Sequence, residues 1–134
     1  MGLDGTKASS QKILIADDDP VTRSLVGQCL KNEGFAVVAV ADGIEACMAA
    51  LTEKPVLALL DLLLPRRDGY SVLLQLRSRE STRETPIIIL SAETGEEHSG
   101  IARTLGAQGY MTKPFEPFAL VATVRKVLNS KGKR

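Results

Sequence analysis

The 134-residue chain has no glycine-rich phosphate loop, no Cys or His pair at metal-ligand spacing, no long apolar run and almost no net charge. Each absence excludes a class of protein. Without a glycine-rich loop, a nucleotide is not the expected ligand. The only cysteines, Cys29 and Cys47, sit in apolar helical patterns with no CxxC around them, so they read as core thiols in a reducing compartment. No apolar run approaches the roughly 18 residues that a membrane span requires, and MGLDGTKASSQ has no signal-like apolar region; a cytoplasmic protein is expected. The net charge is +1. Lys131, Lys133 and Arg134 supply three positive charges and Asp4 and Lys7 cancel, which leaves −2 on residues 11–130. A basic field able to hold DNA or RNA is missing.

What is present is an ordinary globular composition, 44% apolar and 25% charged, in a chain long enough for one domain that buries about two-thirds of its unfolded surface. The polar stretches 1–10 and NSKGKR read as an N-terminal tail and a basic C-terminal tail or linker stub around a domain at 11–130. Within it, strand-like runs and helical patterns alternate: KILIA, FAVVAVA, PVLALLD, PIIILSA and the weaker QGYMT are each followed by a helical segment. Leu25, Val26, Cys29 and Leu30 share helical spacing in the first helix, which Gly34 is placed to cap. Asp42 is placed to cap the second helix, Thr94 and Glu97 have capping-box spacing at the fourth, and Pro117 opens the fifth at a first helical position. Gly100 weakens the fourth helix and Gly106 ends it. Five strand–helix units imply a mainly parallel sheet with right-handed crossovers.

In such α/β folds ligands sit beyond the carboxyl ends of the strands. The polar residues found there are Asp17 and Asp18 after the first run, Asp61 after the third, Ser91 after the fourth and Lys113 after the fifth. Carboxylates with few protein ligands suit a hard cation and favour Mg²⁺ over Ca²⁺, and zinc is disfavoured because no His or Cys joins the pattern. A metal, an ammonium and a hydroxyl together suit a phosphoryl group, whose spreading charge needs cations and donors. A carboxylate can be the nucleophile that takes it up as an acyl phosphate. Asp19, followed by Pro20, reads as the cap of the first helix instead.

Four blocks, ILIADDDP, LLDLLLPRRDG, IIILSA and GYMTKPF, make residues 11–130 resemble the receiver domain of bacterial two-component response regulators, similar to the single-domain chemotaxis type. The resemblance implies one doubly wound, flavodoxin-like α/β domain whose five-stranded parallel sheet, in order 2-1-3-4-5, is flanked by five helices. It implies that Asp61 accepts phosphate from a phosphohistidine of a sensor histidine kinase or phosphotransfer protein. Asp17, Asp18, Asp61 and the Leu63 backbone carbonyl would hold Mg²⁺. Lys113 would pair with the phosphate, Ser91 would turn its hydroxyl towards it, and Ala92 would leave room for access. Tyr110 matches the aromatic switch position, and the Lys113–Pro114 bond is expected cis. Leu63 and Glu93 fall at positions that tune dephosphorylation. Expected partners are the kinase and a downstream target or missing output domain, with a phosphorylation-dependent homodimer as a further route; no metabolite is turned over.

Duller readings stand beside these. His98 lies in an acidic stretch and reads as surface, Arg66 and Arg67 as solvated or as attracting an anionic partner, and Tyr110 alone as a half-buried aromatic with a wet hydroxyl. A scaffold of the same fold that never carries phosphate, and a metal-dependent phosphatase with an aspartyl nucleophile, are the competing functions.

Overall fold

The computed structural model describes residues 11–93 and 96–132. All five apolar runs are strands: β1 (Lys12–Ala16), β2 (Ala36–Val40), β3 (Leu57–Asp61), β4 (Ile87–Ser91) and β5 (Gly109–Thr112). They pair in parallel in the order β2-β1-β3-β4-β5. The helices between and after them are α1 (Pro20–Asn32), α2 (Gly43–Glu53), α3 (Gly69–Ser78), α4 (Glu96–Thr104) and α5 (Pro117–Gly132). This is the parallel sheet expected from the alternation, in the doubly wound, flavodoxin-like order that the resemblance implied.

Strand residues alternate between two cores because successive side chains leave opposite faces of a sheet. Leu14, Ala16, Ala58, Leu60, Ile87 and Ile89 meet residues of α2, α3 and α4 on one face. Ile13, Ile15, Leu57, Leu59, Ile88 and Leu90 meet Val26, Leu30, Leu120, Val124 and Val127 of α1 and α5 on the other. β3 and β4 are buried throughout, as central strands covered on both faces must be. Each fully buried Leu or Ile contributes about 1.5–3 kcal/mol relative to exposure.

Local chemistry starts and stops the helices. Asp19 Oδ1 accepts from the Val21 amide at 3.1 Å and Oδ2 from the Thr22 hydroxyl at 2.7 Å, satisfying groups that a helix leaves open at its start. Asp42 Oδ1 and Asp68 Oδ1 do the same for the amides of Glu45 and Ser71. Gly34, with φ +95°, and Gly106, with φ +108°, follow the ends of α1 and α4. The Thr94 cap expected for α4 lies outside the described residues, as do residues 1–10, Lys133 and Arg134. α5 continues to Gly132, beyond the FALVATVRKVLN pattern.

Of the residues at helical spacing in α1, Val26 and Leu30 are buried, together with Gly27, whereas Leu25 is 67% exposed. Two expectations need correction. Cys29 and Cys47 are free and half-buried, on the flanks of α1 and α2 instead of the core. Arg66 is not simply solvated: its guanidinium pairs with Asp42 Oδ2 at 3.0 Å, and with φ +67° it turns the loop after β3 back onto the start of α2. Arg77 ties the far end of the molecule, donating to the Gly106 carbonyl from Nη2 at 2.8 Å and Nε at 3.1 Å.

The loop after β3 also packs tightly on α3. A Cβ on Gly69 would stand 2.5 Å from the Asp61 carbonyl oxygen and 2.9 Å from the Leu62 Cα, and backbone atoms cannot swing aside. Gly69→Ala is therefore expected to destabilise the protein by about 1–3 kcal/mol, read from the midpoint of urea unfolding. An unchanged midpoint would mean that this contact is not rigid.

Candidate functional site

The carboxyl ends of β1, β3, β4 and β5 bring Asp17, Asp18, Asp61, Ser91 and Lys113 to one rim. Asp17 is completely buried and Asp61 is 7% exposed, each held there because the strand before it is core. Lys113 bridges them: its Nζ donates to Asp17 Oδ2 at 2.7 Å and to Asp61 Oδ2 at 3.1 Å. The other oxygen of each acid takes a backbone amide, Asp17 Oδ1 from Asp19 at 2.9 Å and Asp61 Oδ1 from Leu63 at 3.2 Å. Asp18 is exposed, and its carboxylate has no hydrogen-bond or ion-pair partner among the described residues.

Side-chain oxygens of Asp17, Asp18 and Asp61 lie within 4.8 Å of one another. Three carboxylates against one ammonium leave a deficit that one divalent cation would make good, and an all-oxygen donor set suits a hard ion such as Mg²⁺. The residues present thus fit the metal that the sequence implied.

Burial pushes the Asp61 carboxyl above its ordinary value of 3.8, with the Asp17 charge adding to the rise and Lys113 and the Leu63 amide opposing it. Burial acts on Lys113 in the opposite direction, but its bonds to Asp17 and Asp61 outweigh it and the ammonium is held above its ordinary value. Lys113 therefore stays charged through the neutral range.

Ser91 is fully buried. Its hydroxyl accepts from the Glu93 amide at 2.9 Å, and its carbonyl accepts from the Lys113 amide at 2.7 Å. The hydroxyl thus holds the loop after β4. Tyr110 is half-buried, and its hydroxyl, at the exposed edge, donates to the Glu93 carbonyl at 2.9 Å. Ala92 is exposed beside the rim, Leu63 is 64% exposed, and the Lys113–Pro114 bond is cis.

His98 keeps 35% of its side chain exposed but makes contacts that the sequence did not show. Its Nε2 lies 3.6 Å from the Glu93 carboxylate, its Nδ1 is buried without a partner, and its carbonyl accepts from the Tyr70 hydroxyl at 3.4 Å. Arg23 was missed altogether. Its Nη1 donates to the Asp17 carbonyl at 2.7 Å, fixing the backbone that presents the buried acid, and a basic residue on an exposed helix carries no sequence signal for such a bond.

An acidic rim with a captive ammonium on a doubly wound sheet defines a class, the phosphoryl-accepting regulatory domains, and comparison with known proteins agrees. The sequence profile of the response regulator receiver domain matches residues 13–125: the chain belongs to the receiver-domain family of two-component response regulators. It is 40% identical over 119 residues to the alkaline phosphatase synthesis transcriptional regulatory protein PhoP of Bacillus subtilis, a match covering 89% of this chain and 49% of PhoP. The chain spans about half the length of the curated relatives it matches. Chemotaxis response regulator CheY4 of Vibrio cholerae superposes with a TM-score of 0.83 at 31% identity, covering 87% of this chain and 98% of that one. The receiver domain of sensor histidine kinase PA1611 from Pseudomonas aeruginosa, solved with a magnesium ion coordinated in its active-site cleft, gives 0.82 at 32% identity, covering 89% and 98%. Receiver domains bind Mg²⁺ at an aspartate cluster of this kind. Among the described residues no helix is long and apolar enough to cross a membrane.

A raised carboxyl pKa favours the fold below the unfolded value of 3.8, and that contribution is lost as pH rises through the folded value. At neutral pH the ionised Asp61 therefore costs stability. Asp61→Asn is expected to melt at a higher temperature than wild type in EDTA, and added Mg²⁺ should stabilise wild type more and narrow the gap. A variant no more stable than wild type in EDTA would contradict the assigned electrostatics.

Proposed function

We propose that the chain accepts a phosphoryl group on Asp61 from the phosphohistidine of a sensor kinase or phosphotransfer protein, in a Mg²⁺-dependent reaction, and signals by changing its protein contacts. The observation that carries this is the clamp at Asp61: one oxygen on the Leu63 amide, the other on Lys113, with two further acids at ligand distance. Asp17, Asp18, Asp61 and the Leu63 carbonyl would hold the Mg²⁺, which when bound neutralises charge on the phosphoryl oxygens.

In the transfer an Asp61 oxygen attacks phosphorus, an O–P bond forms, the P–N bond to the donor imidazole breaks, and the imidazole leaves with the electron pair. Lys113 stays beside the acceptor and offsets the charge that arrives. A donor protein finds apolar surface next to the site: a groove of about 500 Å³ between α1 and α5 reaches Ala92 and Lys113, with Val21, Leu25 and Phe118 exposed on the same side of the molecule.

The readout follows from Glu93. Its amide donates to the Ser91 hydroxyl and its carbonyl accepts from Tyr110, so one residue joins the hydroxyl that would turn to the phosphate to the ring on the α4–β5–α5 face. Drawing the Ser91 hydroxyl away loosens the segment to which Tyr110 is bonded, and the phosphate favours the rearranged face. Inverting a 1:99 population needs about 5.5 kcal/mol of differential binding. The signal leaves through a separate target, an output domain on the same polypeptide or a second copy of the chain. As a regulatory phosphoacceptor it turns over no metabolite, and only its own aspartyl phosphate is made and lost.

Incubated with Mg²⁺ and acetyl phosphate, wild type is expected to gain one phosphoryl group by intact mass. Asp61→Asn and Asp18→Ala should gain none, whereas Asp19→Ser, which keeps a capping oxygen, should react like wild type. Labelling of Asp61→Asn to the wild-type level would refute the assignment. Phosphomonoester hydrolysis by wild type would point to a phosphatase instead.

Leu63 cannot hydrogen-bond the water that attacks an acyl phosphate, so self-hydrolysis is slow for want of an orienting group. Leu63→Asn is expected to shorten the phosphoryl half-life several-fold, followed by loss of the mass adduct after acetyl phosphate is removed. An unchanged half-life would sink that explanation.

A further inference from the structure

α2 carries two apolar stripes. Gly43, Ala46, Ala49 and Ala50 are buried on its inner side. Ile44, Cys47, Met48 and Leu51 recur at i, i+3, i+4 and i+7 along an outer one, where Met48 is 63% and Leu51 37% exposed. Cys47 on this stripe packs partly against the core, and beside Met48 and Leu51 the cover comes from Gln75 of α3 and from Arg79, its C-cap. A concave slot of about 170 Å³ remains, closed at one end by Arg67 from the loop after β3. A cavity of about 150 Å³ holds a benzene ring, so this slot has room for one leucine- or phenylalanine-sized side chain. Leu74, 52% exposed, continues the apolar surface on α3 between the same two arginines.

The rim is positive. Neither Arg67 nor Arg79 forms an ion pair among the described residues, and both act electrostatically on the Cys47 thiol at the slot floor. The acids of α2 are engaged elsewhere, Glu45 with the Ala41 amide and Glu53 with Lys12.

We propose that the α2–α3 slot is a docking surface for an acidic amphipathic helix of a partner protein, which inserts one apolar side chain beside Met48 and sets carboxylates against Arg67 and Arg79. Charge complementarity selects the acidic partner, and the concave shape selects a protruding side chain over a flat bilayer. None of Asp17, Asp18, Asp61, Ser91 and Lys113 lines the slot.

The test is a titration of a synthetic helix, with Leu at i, i+3, i+4 and i+7 flanked by Glu, into the nitrogen-15-labelled full chain. Saturable amide shifts are expected at residues 43–51 and 67–79. Arg79→Glu should weaken binding tenfold or more and Met48→Ala several-fold, both with melting unchanged. The proposal is overturned by no saturable shift there, by equal binding to Arg79→Glu, or by equal affinity for a helix with Lys in place of Glu. Stronger response of these amides to phosphatidylglycerol vesicles would assign the face to a membrane and overturn it. A dimer seen by light scattering and broken by Met48→Glu would assign it to a second copy, with the same result.

Discussion

The ammonium of Lys113 lies between two carboxylates that the fold has buried, and the rest of the site depends on that contact. Asp17 and Asp61 follow apolar strands whose burial is required by the core, so desolvation acts on them whether or not their charges are wanted. One captive cation, at 2.7 and 3.1 Å, makes the pair tolerable without neutralising the cluster. Removing the ammonium would leave both buried carboxylates uncompensated. The residual negative charge suits the rim to a metal, and the raised Asp61 pKa comes chiefly from burial, with the Asp17 charge adding to it.

The scaffold holds this frustrated cluster in place by means that are mostly backbone. The Gly43 amide bonds the Pro65 carbonyl and the Gly69 amide the Leu62 carbonyl, while Arg66 pins the same loop to Asp42. The loop after β3 is thus bound at both flanks, to the starts of α2 and α3. On the β4 side the loop is held through Ser91 and Tyr110, which meet at Glu93. One side of Asp61 is held by backbone bonds and an ion pair and the other by two hydroxyl bonds, an asymmetry that fits the proposed readout.

Much of this was legible in the chain. Strand order followed from strict alternation of elements and the family resemblance, and the rim followed from reading the residue that ends each apolar run. Asp19, Asp42 and Gly34 were readable because capping and left-handed geometry are local and leave a local mark. What escaped was contact between distant segments. Nothing near Arg23 foretells a bond to the Asp17 carbonyl, and nothing near Arg66 foretells Asp42. The two cysteines were misjudged for a related reason: helical periodicity tells which residues share a side, but the width of the buried stripe depends on how closely the sheet approaches. His98 is partly exposed, as its acidic sequence neighbours suggested, but its contacts with Tyr70 and Glu93 could not be read from them.

The bond from Lys113 to Asp17 joins residues 96 positions apart. A contact of such sequence separation forms only when the chain has closed its longest loop, and loop closure of this kind governs how slowly a topology assembles. β5 is also an edge strand of four residues, the shortest in the sheet. The three aspartates of the rim come from the first half of the chain, and the ammonium that balances them directly follows the last strand. The charge balance of the rim is therefore complete only when β5 is docked on the sheet.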